Sequence, residues 1–270
     1  MDGWQNMDRG ALDDAYANAD YIPDAASFPP RWASDAAAFR AAVPGKLDVP
    51  YAEGSGAAFD LFHPAVPPQG LMVFVHGGYW RRFGKSDWSH FAAGGLAAGL
   101  AVAVVGYPLA PTVRIAEITR HVRSAVEAAA TRVGGSIHLT GHSAGGHLVA
   151  RLLMADAKPN CTDRIATCVP ISPVADLRPL VRQTMNEDLR LDAASADSES
   201  PVLAQPVLRA RAAVYVGAEE RPSFLWQAQA LGEAWSIPVH QVAERHHFNV
   251  IDDLRSPDTS LMAAVLGSAG

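Results

Sequence analysis

The chain has 270 residues, a formal net charge of −6, 49% hydrophobic and 19% charged residues, which suits a domain with a large buried core and excludes general disorder. A pI near 5.9 argues against the basic footprint of a nucleic-acid binder, and no stretch approaches the roughly 18 uninterrupted apolar residues of a membrane helix. Cys161 and Cys168 are too few for a disulfide scaffold and read as thiols of a reducing cytoplasm. Residues 1–10 lack the apolar run of a secretory leader. Residues 1–50 are rich in Ala, Asp, Pro and aromatics, among them Trp4, Tyr16, Tyr21, Phe28, Trp32 and Phe39. Helical patterns over 11–19 and 33–42 are separated by Pro23, Pro29 and Pro30, which break helices. This stretch is too poor in aliphatics to fold alone. It is expected to be an arm packed on the body formed by residues 51–270.

The body alternates short strands with longer helices. An edge strand at 57–63 is followed by a continuous apolar strand at 71–76 (LMVFVH), a helix at 89–100 and a strand at 101–106. A long helix at 113–132 carries Ile115, Ile118, Val122, Val126 and Ala129 on one side. Then come a strand at 136–140, a helix at 146–155, strands at 165–171 and 212–216, a helix at 222–234, a strand at 238–242 and a short helix at 250–254. Uninterrupted apolar strands are covered on both faces. Their alternation with helices predicts an α/β fold with a mostly parallel central sheet and helices on both faces. Residues 176–205 are polar and weakly helical, and read as a cap-like insertion over the strand ends.

The sharpest chemical signal is Gly141-His142-Ser143-Ala144-Gly145, a G-x-S-x-G between an apolar strand and a helix. A turn this tight forces a strained backbone at Ser143 and presents its hydroxyl at the top of the sheet. His76-Gly77-Gly78-Tyr79-Trp80 directly follows the strand LMVFVH. Glycines there leave backbone N–H groups free to face a developing oxyanion, with Ala144 as a further donor. A serine nucleophile needs a base and an orienting acid, in the chain order Ser, acid, His. Glu219 and Glu220 both follow the strand at 212–216, and the G-x-x-D/E spacing from Gly217 favours Glu220. Of His246 and His247, His247 is favoured because it sits immediately before Phe248 and the helix at 250–254. His142 and His147 flank Ser143, but no nearby cysteine or carboxylate completes a metal set, so neither a metal nor a cofactor is expected.

Together these motifs resemble the α/β-hydrolase superfamily. HGGYW is more specific and resembles the kynurenine formamidases (arylformamidases) of α/β-hydrolase type. Tyr107-Pro108-Leu109-Ala110-Pro111, Ser172-Pro173-Val174 through Leu177-Arg178-Pro179-Leu180, Glu220-Arg221-Pro222-Ser223-Phe224 and His247-Phe248 are similar to segments of that subfamily. The resemblance spans roughly residues 57–255. It implies Ser143 as nucleophile, Glu220 as acid, His247 as base, and an oxyanion hole from the Gly77-Gly78-Tyr79 backbone and Ala144. The animal enzymes usually carry Asp where Glu220 stands, which keeps Glu219 in play. An aryl formamide such as N-formyl-L-kynurenine is the expected substrate, with a short-chain ester as the alternative. Tyr79, Trp80 and Met185 are expected to wall its pocket, and Arg81 or Arg82 could hold a carboxylate. The implied partner is a small acyl molecule, not a nucleic acid or membrane, and a homodimer is compatible with the sequence.

Overall fold

The structure, a computed structural model, describes residues 3–268. Helices α1 (Arg9–Ala15) and α2 (Phe28–Ala42) precede strands β1 (Gly45–Pro50), β2 (Ala58–Phe62) and β3 (Gly70–Val75). Then follow α3 (Ala93–Ala97), β4 (Ala101–Val105), α4 (Ile115–Ala130), β5 (Ser136–His142), α5 (Ala144–Arg151) and β6 (Ile165–Ile171). The short helices α6 (Asn186–Leu189) and α7 (Ala193–Ser198) lead to β7 (Arg211–Ala212), β8 (Val214–Gly217), α8 (Pro222–Trp235), β9 (Val239–Val242) and α9 (Ser260–Leu266).

The sheet runs β1-β2-β4-β3-β5-β6-β8-β9, with β7 beside β6. β1 and β2 are antiparallel and the other pairings are parallel. Every residue of β3 is buried. Its side chains alternate between two separate cores, with Leu71, Val73 and Val75 on one face and Met72 and Phe74 on the other. β4 repeats the pattern, placing Ala101, Ala103 and Val105 against Val102 and Val104. This period of two on a doubly covered strand produces a continuous apolar run in sequence. α4 covers the first face because Ile115, Ile118, Val122, Ala125, Val126 and Ala129 recur at helical spacing and are buried. α5 and α8 complete that layer through Leu148, Val149, Phe224 and Leu231. The second face is closed by Phe28 and Trp32 of α2, by Val250, Ile251 and Leu254, and by Leu261, Met262 and Val265 of α9.

Several boundaries differ from the sequence expectation. α2 begins at Phe28, not near residue 33, because Pro29 and Pro30 occupy its first turn, where a missing N–H costs no helical bond. The sheet begins at β1, before residue 51, since Gly45 to Pro50 pair with β2. The segment at 250–254 is a 3-10 turn, Val250–Arg255, and α9 was not anticipated. No helix among the described residues is long and apolar enough to cross a membrane.

Candidate active site

β5 ends by turning sharply into α5, and Ser143 sits at that corner with φ 55° and ψ −116°. Such a backbone is costly for any residue with a Cβ and persists only where its surroundings enforce it. Close packing enforces it here: a Cβ at Gly145 would overlap the carbonyl oxygen of Val75 at the end of β3. The Ser143 N–H donates to Ile171 O of β6 at 2.8 Å, tying the corner to the neighbouring strand.

The two flanking strand ends bring the acid and imidazole together. Glu220 follows β8 and His247 follows β9. Glu220 Oε2 accepts from His247 Nδ1 at 2.6 Å, with both side chains buried. A carboxylate can only accept, so Nδ1 carries the hydrogen and Nε2 is left as an acceptor. The other carboxylate oxygen accepts from the Gly217 N–H at 2.8 Å and from the Ser172 hydroxyl. Glu219 instead is exposed. Among the described residues His246 has no acidic partner; its Nδ1 accepts from the Phe248 N–H at 3.1 Å and its ring lies edge-on to Phe28.

Ser143 and His247 line one cavity of about 560 Å³. Among the described residues, no hydrogen bond joins the Ser143 hydroxyl to His247; such bonds commonly tighten only around bound substrate. His142 braces the imidazole from behind: its Nε2 donates to the His247 carbonyl at 2.8 Å, and the two rings lie 4.7 Å apart. Burial, then the neighbouring His247, push the His142 pKa well down. A neutral His142 adds no positive charge beside the base.

The loop after β3 curls over this corner. Gly78, Tyr79, Trp80 and Phe83 all have positive φ, and the N–H groups of Arg81 and Arg82 both donate to Gly78 O at 3.0 Å. A Cβ on Gly77 would lie 3.1 Å from Ser143 Cβ, so this backbone passes close against the Ser143 side chain. Among the described residues, the N–H groups of Gly77, Gly78, Tyr79, Trp80 and Ala144 have no acceptor. Free backbone N–H groups in the loop beside Ser143 and at the start of α5 suit an anionic oxygen. Beneath the loop, His76 stacks on Tyr107 at 4.3 Å and its Nδ1 donates to Gly77 O at 2.7 Å. Burial lowers its pKa to about 4.

One expected wall residue lies elsewhere. Trp80 is fully buried and packs edge-on against His147 at 5.1 Å in the core. The positive φ of Tyr79 and Trp80 turns the chain so that the Trp80 indole leaves the cavity and the Tyr79 ring faces it. Tyr79 donates its hydroxyl to Tyr16 O at 2.8 Å. The aromatic walls that sequence reasoning missed are Trp32, Trp88 and Phe248. Trp32 comes from α2, 4.8 Å from Trp88 and 5.4 Å from Phe248; an aromatic placed after a Pro-Pro helix start was its available signal. Ser172 was also missed; its position at the end of β6, next to the strand that delivers the acid, was the clue. Met185, from the segment over the strand ends, lines the cavity with Arg81 and Arg82. No group of three or more His, Cys, Asp or Glu among the described residues is arranged to hold a metal.

Comparison with known proteins agrees with this fold. A family model described as α/β hydrolase fold matches residues 72–229. The kynurenine formamidase of Salmo salar is 29% identical over 245 residues, 83% of this chain and 82% of its own. That of Danio rerio is 28% identical over 243 residues, with the same coverage. A crystal structure from Silicibacter sp. TM1040, of a protein provisionally called a thioesterase, superposes with a TM-score of 0.93. It is 51% identical and covers 94% of this chain and 98% of that one.

Proposed function

Since the chain belongs to the α/β-hydrolase family and is a hydrolase of acyl amides or esters, we propose that Ser143, His247 and Glu220 are its catalytic triad and that an aryl formamide of the N-formyl-L-kynurenine type is its substrate. His247 Nε2 takes the Ser143 hydroxyl proton as the serine oxygen bonds to the formyl carbon. The N–H groups of the Gly77-Gly78-Tyr79 backbone and Ala144 hold the resulting oxyanion, each donor of this kind being worth about 3 kcal/mol. The carbon–nitrogen bond then breaks, and His247 returns the proton to the departing arylamine. Water, deprotonated by the same imidazole, attacks the formyl-enzyme and releases formate and free serine. Glu220 keeps Nδ1 protonated and stabilises the imidazolium between these transfers.

The observation that supports this most is the pairing of His247 with a buried carboxylate beside a serine held at positive φ in the same cavity. An arylamine suits walls built from Trp32, Trp88, Phe248 and Tyr79. The two formamidase relatives, each aligned over most of its length, point to the same bond. A second reading, an acyl ester or thioester, draws on the 51% identical thioesterase-like structure; the same residues would serve it. Free Cys161 and Cys168 suit a cytoplasmic setting. The test compares kcat/KM for N-formyl-L-kynurenine and para-nitrophenyl acetate. The formamidase reading expects the formamide to exceed about 10⁴ M⁻¹s⁻¹, the lower end of the usual enzyme range, and Ser143→Ala to abolish both activities. Cleavage of the activated ester alone leaves the esterase reading.

A further inference from the structure

Most polar groups of the cavity are spent on the protein itself. Asp13 accepts from the N–H and hydroxyl of Thr184 at 2.8 and 2.6 Å. Arg81 is held by Asp188 at 2.6 Å. The Tyr79 hydroxyl is taken by Tyr16 O. What remains unspent is specific in kind. Arg82 lines the cavity and, among the described residues, its guanidinium has no carboxylate or hydrogen-bond partner. Asn18 also lines it, is only 5% exposed, and has neither its amide nitrogen nor its oxygen hydrogen-bonded. The indole N–H groups of Trp32 and Trp88 lack acceptors too. Opposed to these are Asp20, exposed at the rim, and His142 Nδ1.

A buried amide with no partner is destabilising, and such groups in native proteins call for an explanation. Four donors, Asn18 Nδ2, two indoles and the exposed guanidinium of Arg82, border one space with the neutral acceptors Asn18 Oδ1 and His142 Nδ1. A carboxylate satisfies such a set, because it only accepts and because a guanidinium binds it with charge. An ammonium would find Asn18 Oδ1 and His142 Nδ1 as neutral acceptors, and as charges only Asp13, already bonded to Thr184, and the rim Asp20. We propose that this cavity reads a carboxylate on the leaving-group side of the substrate, with Arg82 as its counter-charge and Asn18 as its hydrogen-bonding partner. Specificity then lies on two segments remote in sequence, the loop after β3 and the turn Asn18–Tyr21. The inference rests on the hydrolase reading of Ser143, and it goes beyond it by assigning the residues that select among acyl substrates.

The experiment uses three aryl acetates of one shape: meta-acetoxybenzoate, its methyl ester, and the meta-trimethylammonio analogue, each rate divided by its rate of hydroxide hydrolysis. The native protein is expected to prefer the anion over the neutral ester by about tenfold in kcat/KM, the size of one charge-assisted hydrogen bond, and to turn over the cation least. Arg82→Met should erase the preference and Arg82→Lys retain part of it. Asn18→Leu should reduce the preference while leaving the thermal midpoint unchanged or raised, because it replaces an unpaired buried amide with an apolar side chain. A structural role for Asn18 predicts the opposite pair of results, a lowered midpoint with the preference intact, and that outcome overturns its assignment. Equal treatment of anion and neutral ester by the native protein, with Ser143-dependent turnover, overturns the inference and leaves the hydrolase reading standing. Loss of Ser143 dependence itself overturns both.

Discussion

Ser172 shows how much a single hydroxyl can govern at this site. Its backbone is itself strained, at φ 47°, with its N–H donated to Tyr215 O at 2.6 Å. The hydroxyl then fixes one oxygen of Glu220, leaving the other for His247. Without it, Gly217 N–H alone holds that oxygen, and the carboxylate can swing out of line with Nδ1. Ser172→Ala should therefore lower kcat roughly tenfold, the worth of a hydrogen bond to a charged group, with KM little changed. Ser172→Gly relieves the positive φ but also lacks the hydroxyl, so it should lose as much. Recovery of activity in the glycine variant, measured by steady-state kinetics, would mean that backbone strain and not the hydroxyl matters.

At the scale of elements, α2 serves both the core and the cavity. Trp32 is buried among Phe28, Phe83, Trp88 and Phe248 and faces the cavity as well. Trp32→Ala should cost about 3–5 kcal/mol of unfolding free energy, as for other large aromatic truncations, measured by urea titration. Leu47→Ala on β1, where the side chain is 46% exposed, should change it little. The contrast explains which elements were legible in sequence. β3 and β4 announce themselves because both faces are covered and every residue is apolar. β1 does not: it is an edge strand, mostly exposed, and the Lys-Leu-Asp-Val alternation in its Gly-Lys-Leu-Asp-Val-Pro run is only four residues long between Gly and Pro. α9 was hidden because its seven residues are short and follow a Pro-Asp turn. The turn at Ser143 is legible because only glycine fits against Val75 O. The roles of Ser172 and Asn18 are not local: Ser172 meets Glu220 48 positions away, and no spacing rule reports such a contact.

For the molecule as a whole, buried histidines set a pH dependence of stability. His76 and His147 are held neutral by burial, each with its pKa lowered from 6.5 to about 4, and burial lowers His142 further. Between about pH 6.5 and 4 the unfolded chain binds protons at these sites and the folded chain does not. Stability is therefore complete above pH 6.5 and is lost as pH falls toward 4. The lowered pKa values of Asp48 and Asp156, caused by Lys85 and Arg151, act below the ordinary carboxylate range and add a separate loss under pH 4. Urea midpoints taken from pH 7 to 4 should fall throughout. His147→Gln, which cannot titrate, should flatten the slope; an unchanged slope would show that His147 is not a source of it.

The contacts that close the cavity also order events in time. Asp14, Ala15 and Tyr16 are gripped by Arg221, Ser223 and Gln227, residues more than two hundred positions downstream. A ribosome adding 5–20 residues per second needs on the order of ten to forty seconds to cover that distance. Through that interval residues 14–16 lack this berth. Each newly made chain thus passes through a stage in which residues 14–16 lack these partners, and the substrate chamber is walled only after residues 221–248 have been added.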